Sequence, residues 1–269
     1  QLVRLLTQAA LPGMLPGRGV SMSPDCRTAL EALLDEVQLP VYGVSWGLGL
    51  LDPGHPCTAG NSVDLAMLQF LAEPPDLVML LGARRGMMTG SRSATMIPTS
   101  AQVVQVDLDG AQAGRIDDVA LAITADVTET LRALTRVARQ LPGWRDWTTT
   151  AGGVANSHAM MYAAEPPESD GGLHPYWAAK AVVEALPADA VVIFDGGETA
   201  AWVSFFAGRA QPRSWFGLGA MGGLGVGQGM AIGAQVARPD QRVVLITGDG
   251  AVGFHLQEDL VHFAQRRAR

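Results

Sequence analysis

The chain has 269 residues, of which 48% are hydrophobic and 17% charged, and a mean hydropathy of +0.17. That composition excludes a disordered or coiled-coil chain and leaves room for one large or two ordinary domains. A formal charge of -7, with Lys180 as the only lysine, offers no positive field for phosphate backbones and excludes nucleic acid as a partner.

The first residues, QLVRLLTQAALPG, read as the middle of an amphipathic helix and lack the basic region and long apolar run of a signal peptide. The expectation is that the chain begins inside a larger protein. Residues Thr28 to Val37 place Leu30, Leu33, Leu34 and Val37 on one helical face, and Leu39 to Val44 follows as a strand. Val63 to Ala72 is a second apolar-faced helix, broken by Pro74 and Pro75 before the fully apolar strand Leu77 to Leu81. Gln102 to Asp107 and Leu121 to Thr124 are further strands. Asp126 opens a helix to Arg139, with Glu129 at capping-box spacing. Cys26 and Cys57 have no CxxC or His/Cys cluster around them, so neither a disulfide framework nor a structural zinc is expected, and a reducing cytoplasm fits.

From Leu141 to Gly172 prolines and glycines punctuate the chain, which reads as a linker around one helix. Alternation then resumes. Pro175 starts a helix to Leu186, and the strand Ala190 to Phe194 ends at Asp195-Gly196-Gly197. A glycine-rich run and its helix lead to about Val236. The strand Val243 to Thr247 ends at Gly248-Asp249-Gly250. Gly217 to Ala237 carries no charge over a membrane-spanning length, but eight of its residues are glycine, so a loop feeding a buried helix is the better account and no membrane is expected. Strands alternating with helices imply two open parallel-sheet α/β domains. The second stops soon after its third element, so it is expected to be truncated, and the chain incomplete at both ends.

In open parallel sheets, ligands sit beyond the carboxyl ends of the strands, where the loops Asp195 to Trp202 and Gly248 to Gly253 both fall. At Gly248-Asp249-Gly250 the glycines let backbone amides approach an anion, and the Asp249 carboxylate suits a hard divalent cation. That pairing suits a metal-bridged diphosphate. An ordinary tight turn, with Asp249 bonding its own backbone, is the competing account.

The segments HPYWAAKAVVEAL, DGGETAAW, the glycine run WFGLGAMGGLGVGQGMAIGA and TGDGAVGF, taken together, resemble the thiamine diphosphate-dependent enzymes of the acetolactate synthase and benzaldehyde lyase group. TALEALLDEVQLPVYG, PPDLVMLLGAR and SAQVVQVDLDGAQAGRIDDVALAITADV look like the middle domain of that group. The resemblance implies a Rossmann-like middle domain at 1–142, a linker at 143–172, and the first part of the diphosphate-binding domain at 173–269. It implies thiamine diphosphate and Mg2+ as cofactors. FAD is possible in the middle domain but not favoured, because no GxGxxG follows a strand in residues 1 to 140; Gly82, Ala83 and Arg84 would form its lip.

By the same resemblance, Leu224 would be the apolar wedge that bends the cofactor. The Gly222 carbonyl and Leu224 amide would meet its pyrimidine, and Asp249 would ligate the metal. Glu198 and Thr199 match positions touching the diphosphate, with loop contacts from Gly248, Gly250 and Ala251. Glu198 departs from the pattern, since a negative charge beside a diphosphate is awkward. The family's glutamate acid lies in a preceding domain and a second metal ligand, an Asn, follows beyond Arg269, so this chain is not expected to catalyse alone. The implied activity is cleavage or formation of C-C bonds in 2-hydroxy ketones or 2-keto acids, benzaldehyde lyase-like first, acetolactate synthase-like transfer second and a decarboxylase third. A noncatalytic scaffold is the alternative of another class. A small carbonyl substrate and a homodimer or homotetramer are the implied partners.

Three decoys compete. Gly43-Val44-Ser45-Trp46-Gly47 has the form of a hydrolase elbow, but Gly49 and Asp52-Pro53 leave no room for its helix. Residues 217–222 satisfy GxGxxG without coming off a buried strand. Met221 is an alternative wedge. The five histidines are scattered, and of them only His255, just past Gly250, is a candidate for the rim of the site; Trp202 reads equally as core or as substrate wall.

Overall fold

A computed structural model describes residues 1–44, 47–116, 118–155, 157, 162, 172–207, 214–217 and 222–254. The chain divides into two compact units, Gln1–Ala163 and Ala164–Arg269.

The first unit is a parallel sheet of β1 (Pro12–Pro16), β2 (Val41–Gly43), β3 (Thr58–Asn61), β4 (Leu77–Leu81), β5 (Gln102–Asp107) and β6 (Leu121–Thr124), in the order β3-β2-β1-β4-β5-β6. This is the doubly wound order, with its reversal between β1 and β4. The helices are α1 (Leu2–Gln8), α2 (Arg18–Met22), α3 (Cys26–Val37), α4 (Ser62–Leu71), α5 (Val127–Thr135) and α6 (Arg145–Ala155). Their faces follow the predicted periodicity. Leu30, Leu33, Leu34 and Val37 of α3 are each 1% exposed, and each such burial contributes about 1.5 to 3 kcal/mol. All of β4 is buried, as a fully apolar strand inside a parallel sheet must be. Asp126 caps α5 by accepting the Glu129 amide at 3.1 Å, the spacing the sequence predicted. That helix is shorter than expected: Val137 leaves helical geometry, and a 3-10 turn at Ala138–Gln140 takes over.

The sequence does not announce β1, because prolines at both of its ends argue against a central strand. Pro12 cannot donate, and the amides just before it are satisfied elsewhere. The Asp76 carboxylate accepts from Ala10 at 2.6 Å and Leu11 at 3.0 Å. The helix expected within 141–172 is α6, which packs on α4 and β3. The indoles of Trp144 and Trp147 donate to the carbonyls of Ala9 and Pro12 at 3.0 and 2.8 Å.

The second unit holds β7 (Val191–Asp195), β8 (Ser214–Phe216) and β9 (Val243–Thr247), parallel and in the order β8-β7-β9, with α7 (Pro175–Glu184), α8 (Gly197–Ser204) and α9 (Val226–Ala237). Pro175 opens α7 as expected, and His174 caps it, its Nδ1 accepting the Tyr176 amide at 3.2 Å. Two parallel α/β units are thus present, the second with a small sheet. Among the described residues, no helix is long and apolar enough to cross a membrane.

Candidate functional site

The central strand β7 and its neighbour β9 run in register, Asp195 opposite Thr247, so the loops that follow them leave the sheet side by side. They touch backbone to backbone. The Gly248 amide donates to the Asp195 carbonyl at 3.1 Å, and a Cβ on Gly196 would stand 2.8 Å from the Gly248 nitrogen. Gly196 also has φ +99°, a backbone that side-chain-bearing residues rarely adopt. A Cβ on Gly248 would stand 3.2 Å from Thr199 Oγ1.

On this floor lies a cavity of about 440 Å³, within the range of small-molecule sites, roughly 300 to 1,000 Å³. Its lining brings together Glu198, Thr199, Leu224, Gly248, Asp249, Gly250 and Ala251, seven of the eight residues expected at the site. The eighth, Gly222, is exposed two residues before Leu224 and is not part of the lining. Pro175, Ala179 and Val182 of α7 form an apolar side, with Trp202 and Val203 of α8. Leu224 is 38% exposed at the lip.

Two helices begin at this cavity. Ala200 bonds back to Gly196 at 2.8 Å and Val252 to Gly248 at 3.0 Å, so the amides of Gly197, Glu198 and Thr199, and of Asp249, Gly250 and Ala251, have no acceptor within their helices. A Cβ on Gly197 or Gly250 would meet nothing within 4 Å, so a ligand can reach both backbones. Such paired helix starts receive anions. Among the described residues, the lining contains two carboxylates, Glu198 and Asp249, and no lysine or arginine. An oligoanion there needs a cation to bridge it, which suits Mg2+ on Asp249 with a diphosphate. Among the described residues there is no group of three or more His, Cys, Asp or Glu that could hold a metal unaided. The two helix starts and the Asp249 carboxylate fit a metal-bridged diphosphate.

Glu198 is engaged along its own helix, accepting the Trp202 indole N–H at 3.2 Å. Trp202 in turn meets the His174 ring edge to face at 5.3 Å. Its place is in the cavity wall. Asp195, which the sequence places at the end of a strand and the start of the ligand-side loop Asp195 to Trp202 without giving it a role, is fully buried. The signal was present, since a strand ending in an acid before two glycines leaves that acid inside.

The decoys separate. Residues 47–49 form a tight turn rather than an elbow helix, while Ser45 and Trp46 lie outside the described residues, as do His158, Met221, His255 and His262. His55 accepts the Cys57 amide at 3.1 Å within a turn. Gly217 follows β8, and a Cβ there would strike the Phe194 ring, so Gly217 itself is packed against core, while residues 218–221 lie outside the described residues. In the first unit Gly82 packs directly on Gly19, whose amide donates to the Gly82 carbonyl at 2.9 Å, and Arg84 reaches to within 3.8 Å of Asp107.

Residues 1–134 match the family described as thiamine pyrophosphate enzyme, central domain, and residues 195–269 match its C-terminal TPP binding domain. The chain is 28% identical over 256 residues to the acetolactate synthase isozyme 1 large subunit of Escherichia coli, covering 94% of this chain and 44% of that protein. It is 28% identical over 264 residues to the acetolactate synthase large subunit of Lactococcus lactis, covering 96% and 45%. For the acetolactate synthase large subunit of Parasynechococcus marenigrum the figures are 29% over 259 residues, 94% and 41%. The chain thus spans less than half the length of these relatives. Two domain matches in the family's own order, together covering most of the chain, make it a member of the thiamine pyrophosphate enzymes.

Proposed function

We propose that the cavity at the ends of β7 and β9 holds thiamine diphosphate with Mg2+, and that the whole protein joins or transfers carbonyl fragments of 2-keto acids in the manner of acetolactate synthase. The observation that carries this is the meeting of Leu224 and Asp249 in one cavity. The relatives named above favour acetolactate synthase-like transfer over the benzaldehyde lyase-like cleavage that the sequence motifs put first.

Bound there, the cofactor supplies a nucleophilic carbon and an electron sink for cleavage or formation of the neighbouring C-C bond. This chain's residues bind and orient. Asp249 would hold the cation, and the amides of the two helix starts with the Thr199 hydroxyl would donate to the phosphate groups. Leu224, in the cavity lining, would be the apolar residue that holds the cofactor bent. The Leu224 amide, with Gly222 just outside the lining, would meet the pyrimidine. The apolar side formed by α7 and Trp202 excludes water from the reacting carbon. A homodimer or homotetramer in the cytoplasm completes the proposal.

The test is titration of the full-length protein with thiamine diphosphate and Mg2+, followed by assays with pyruvate and with benzoin. Cofactor-dependent stabilisation and pyruvate turnover to a condensed product are expected. Benzoin cleavage without pyruvate condensation would install the lyase instead, simple CO2 release a decarboxylase, and no cofactor-dependent stabilisation a noncatalytic scaffold.

A further inference from the structure

We propose that Asp195 is a positioning residue of this site: its buried carboxylate clamps the first turn of α9 to the end of β7 and so sets where Leu224 stands relative to Asp249. The proposal rests on the cofactor reading above, and its tests separate the two.

A carboxylate with no exposure is costly unless its oxygens are satisfied. Here one oxygen accepts the Gly196 amide at 2.6 Å and the other the Gly227 amide at 2.7 Å. Both bonds are short and charge-assisted, and the second lies at the start of a twelve-residue helix, where a negative charge is favoured. The fit admits no side chain. A Cβ on Gly227 would stand 2.7 Å from Asp195 Cβ and 2.8 Å from Leu245 Cδ1. Through its carbonyl, Asp195 also accepts the Gly248 amide at 3.1 Å. One residue therefore holds the start of α9 by its side chain and the Asp249 loop by its backbone.

Leu224 needs such an anchor. It is partly exposed, and the glycines before it carry little packing. A Cβ on Gly222 would meet nothing within 4 Å, and one on Gly223 only Val226 Cγ1 at 3.6 Å. The Gly227 bond, three residues on, is the nearest fixed point described on that side. Substituting Asp195 by Asn keeps the volume but offers one acceptor to two amides, so one amide faces an N–H group.

The experiment uses the full-length protein carrying Asp195→Asn. Without cofactor, amide hydrogen exchange at Val226 and Gly227 should speed up about tenfold or more with the far-ultraviolet spectrum unchanged. With saturating thiamine diphosphate and Mg2+, kcat should fall about tenfold or more while the cofactor Kd moves less than about threefold. In a Leu224→Ala background the same substitution should cost almost nothing further, because both changes loosen one element. An unchanged kcat at saturation, or losses that simply multiply, would overturn the proposal. Should Asp195→Asn fail to fold, Gly227→Ala keeps the carboxylate, displaces α9 and should reproduce both the kcat loss and the non-additivity. A wild-type protein that binds no thiamine diphosphate sinks the cofactor reading alone. Unchanged exchange at Gly227 sinks the clamp whatever the cofactor result.

Discussion

The Glu198 carboxylate accepts the indole N–H of Trp202 one turn further along α8, at 3.2 Å. A negative charge at the first turn of a helix is favoured in itself, and the indole gives it a fixed direction. The cost appears only when an anion arrives, because the helix start then holds two like charges. Glu198→Gln keeps an acceptor for Trp202 and removes the repulsion. The variant should bind thiamine diphosphate about threefold to tenfold more tightly at low salt, with the gain shrinking as salt is added. Calorimetric titration at two ionic strengths measures it, and weaker binding by the variant would show that Glu198 contributes a contact rather than a penalty.

Asp249 is a carboxylate at the start of the helical residues 249–254, in a lining that among the described residues has no lysine or arginine. In full-length protein, Asp249→Ala should abolish the Mg2+-dependent rise in melting temperature on adding thiamine diphosphate. At a hundredfold excess over the dissociation constant that rise corresponds to about 2.7 kcal/mol. A variant stabilised as much as the wild type would place the cation elsewhere.

Burial, reinforced by the negative charge of Asp35, pushes the Cys57 thiol from 9.0 up to about 12. The folded chain keeps a proton that the unfolded chain releases, so the unfolded state binds fewer protons above pH 9. Stability attributable to Cys57 is therefore full below that pH and declines as pH rises towards about 12, by up to about 1.4 kcal/mol per unit. Urea midpoints at pH 8, 9, 10 and 11, run beside Cys57→Ala, isolate this contribution: the wild type should fall more steeply. Parallel slopes would mean that the thiol ionises without unfolding.

Asp76 accepts the two amides that lead into β1. With partial solvent access, Asp76→Ala should cost the first unit about 2 kcal/mol, and Asp76→Asn about half as much. Urea unfolding followed by tryptophan emission reads this, since Trp144 and Trp147 are buried in that unit. A loss below about 0.5 kcal/mol would show that water serves those amides equally well.

What the sequence made legible follows from how local each cause is. The apolar run at Leu77 to Leu81 and the helical stripe of α3 depend on period alone and were readable. The acid-and-glycine turn at 249 and the aliphatic position at 224 were readable because their spacing matches a known cofactor motif. The strand Pro12–Pro16 was not, because its acceptability depends on Asp76, sixty-five residues from Leu11. Nor was α6 placed, since the carbonyls that receive Trp144 and Trp147 lie 135 residues earlier. Asp195 was read as a strand end because its second partner, Gly227, is thirty-two residues away.

The contact between Gly196 and Gly248 divides the cavity into a part that cannot change and a part that can. A methyl group on Gly196 would strike the Gly248 backbone and part β7 from β9, and one on Gly248 would crowd the Thr199 hydroxyl, so the anchoring end has little mutational freedom. Val182 only forms a wall, and its replacement would redraw the space above without disturbing what lies beneath. On the proposed function, a scaffold built this way would let single changes in its walls alter which carbonyl compound is accepted while the anchoring end stays as it is.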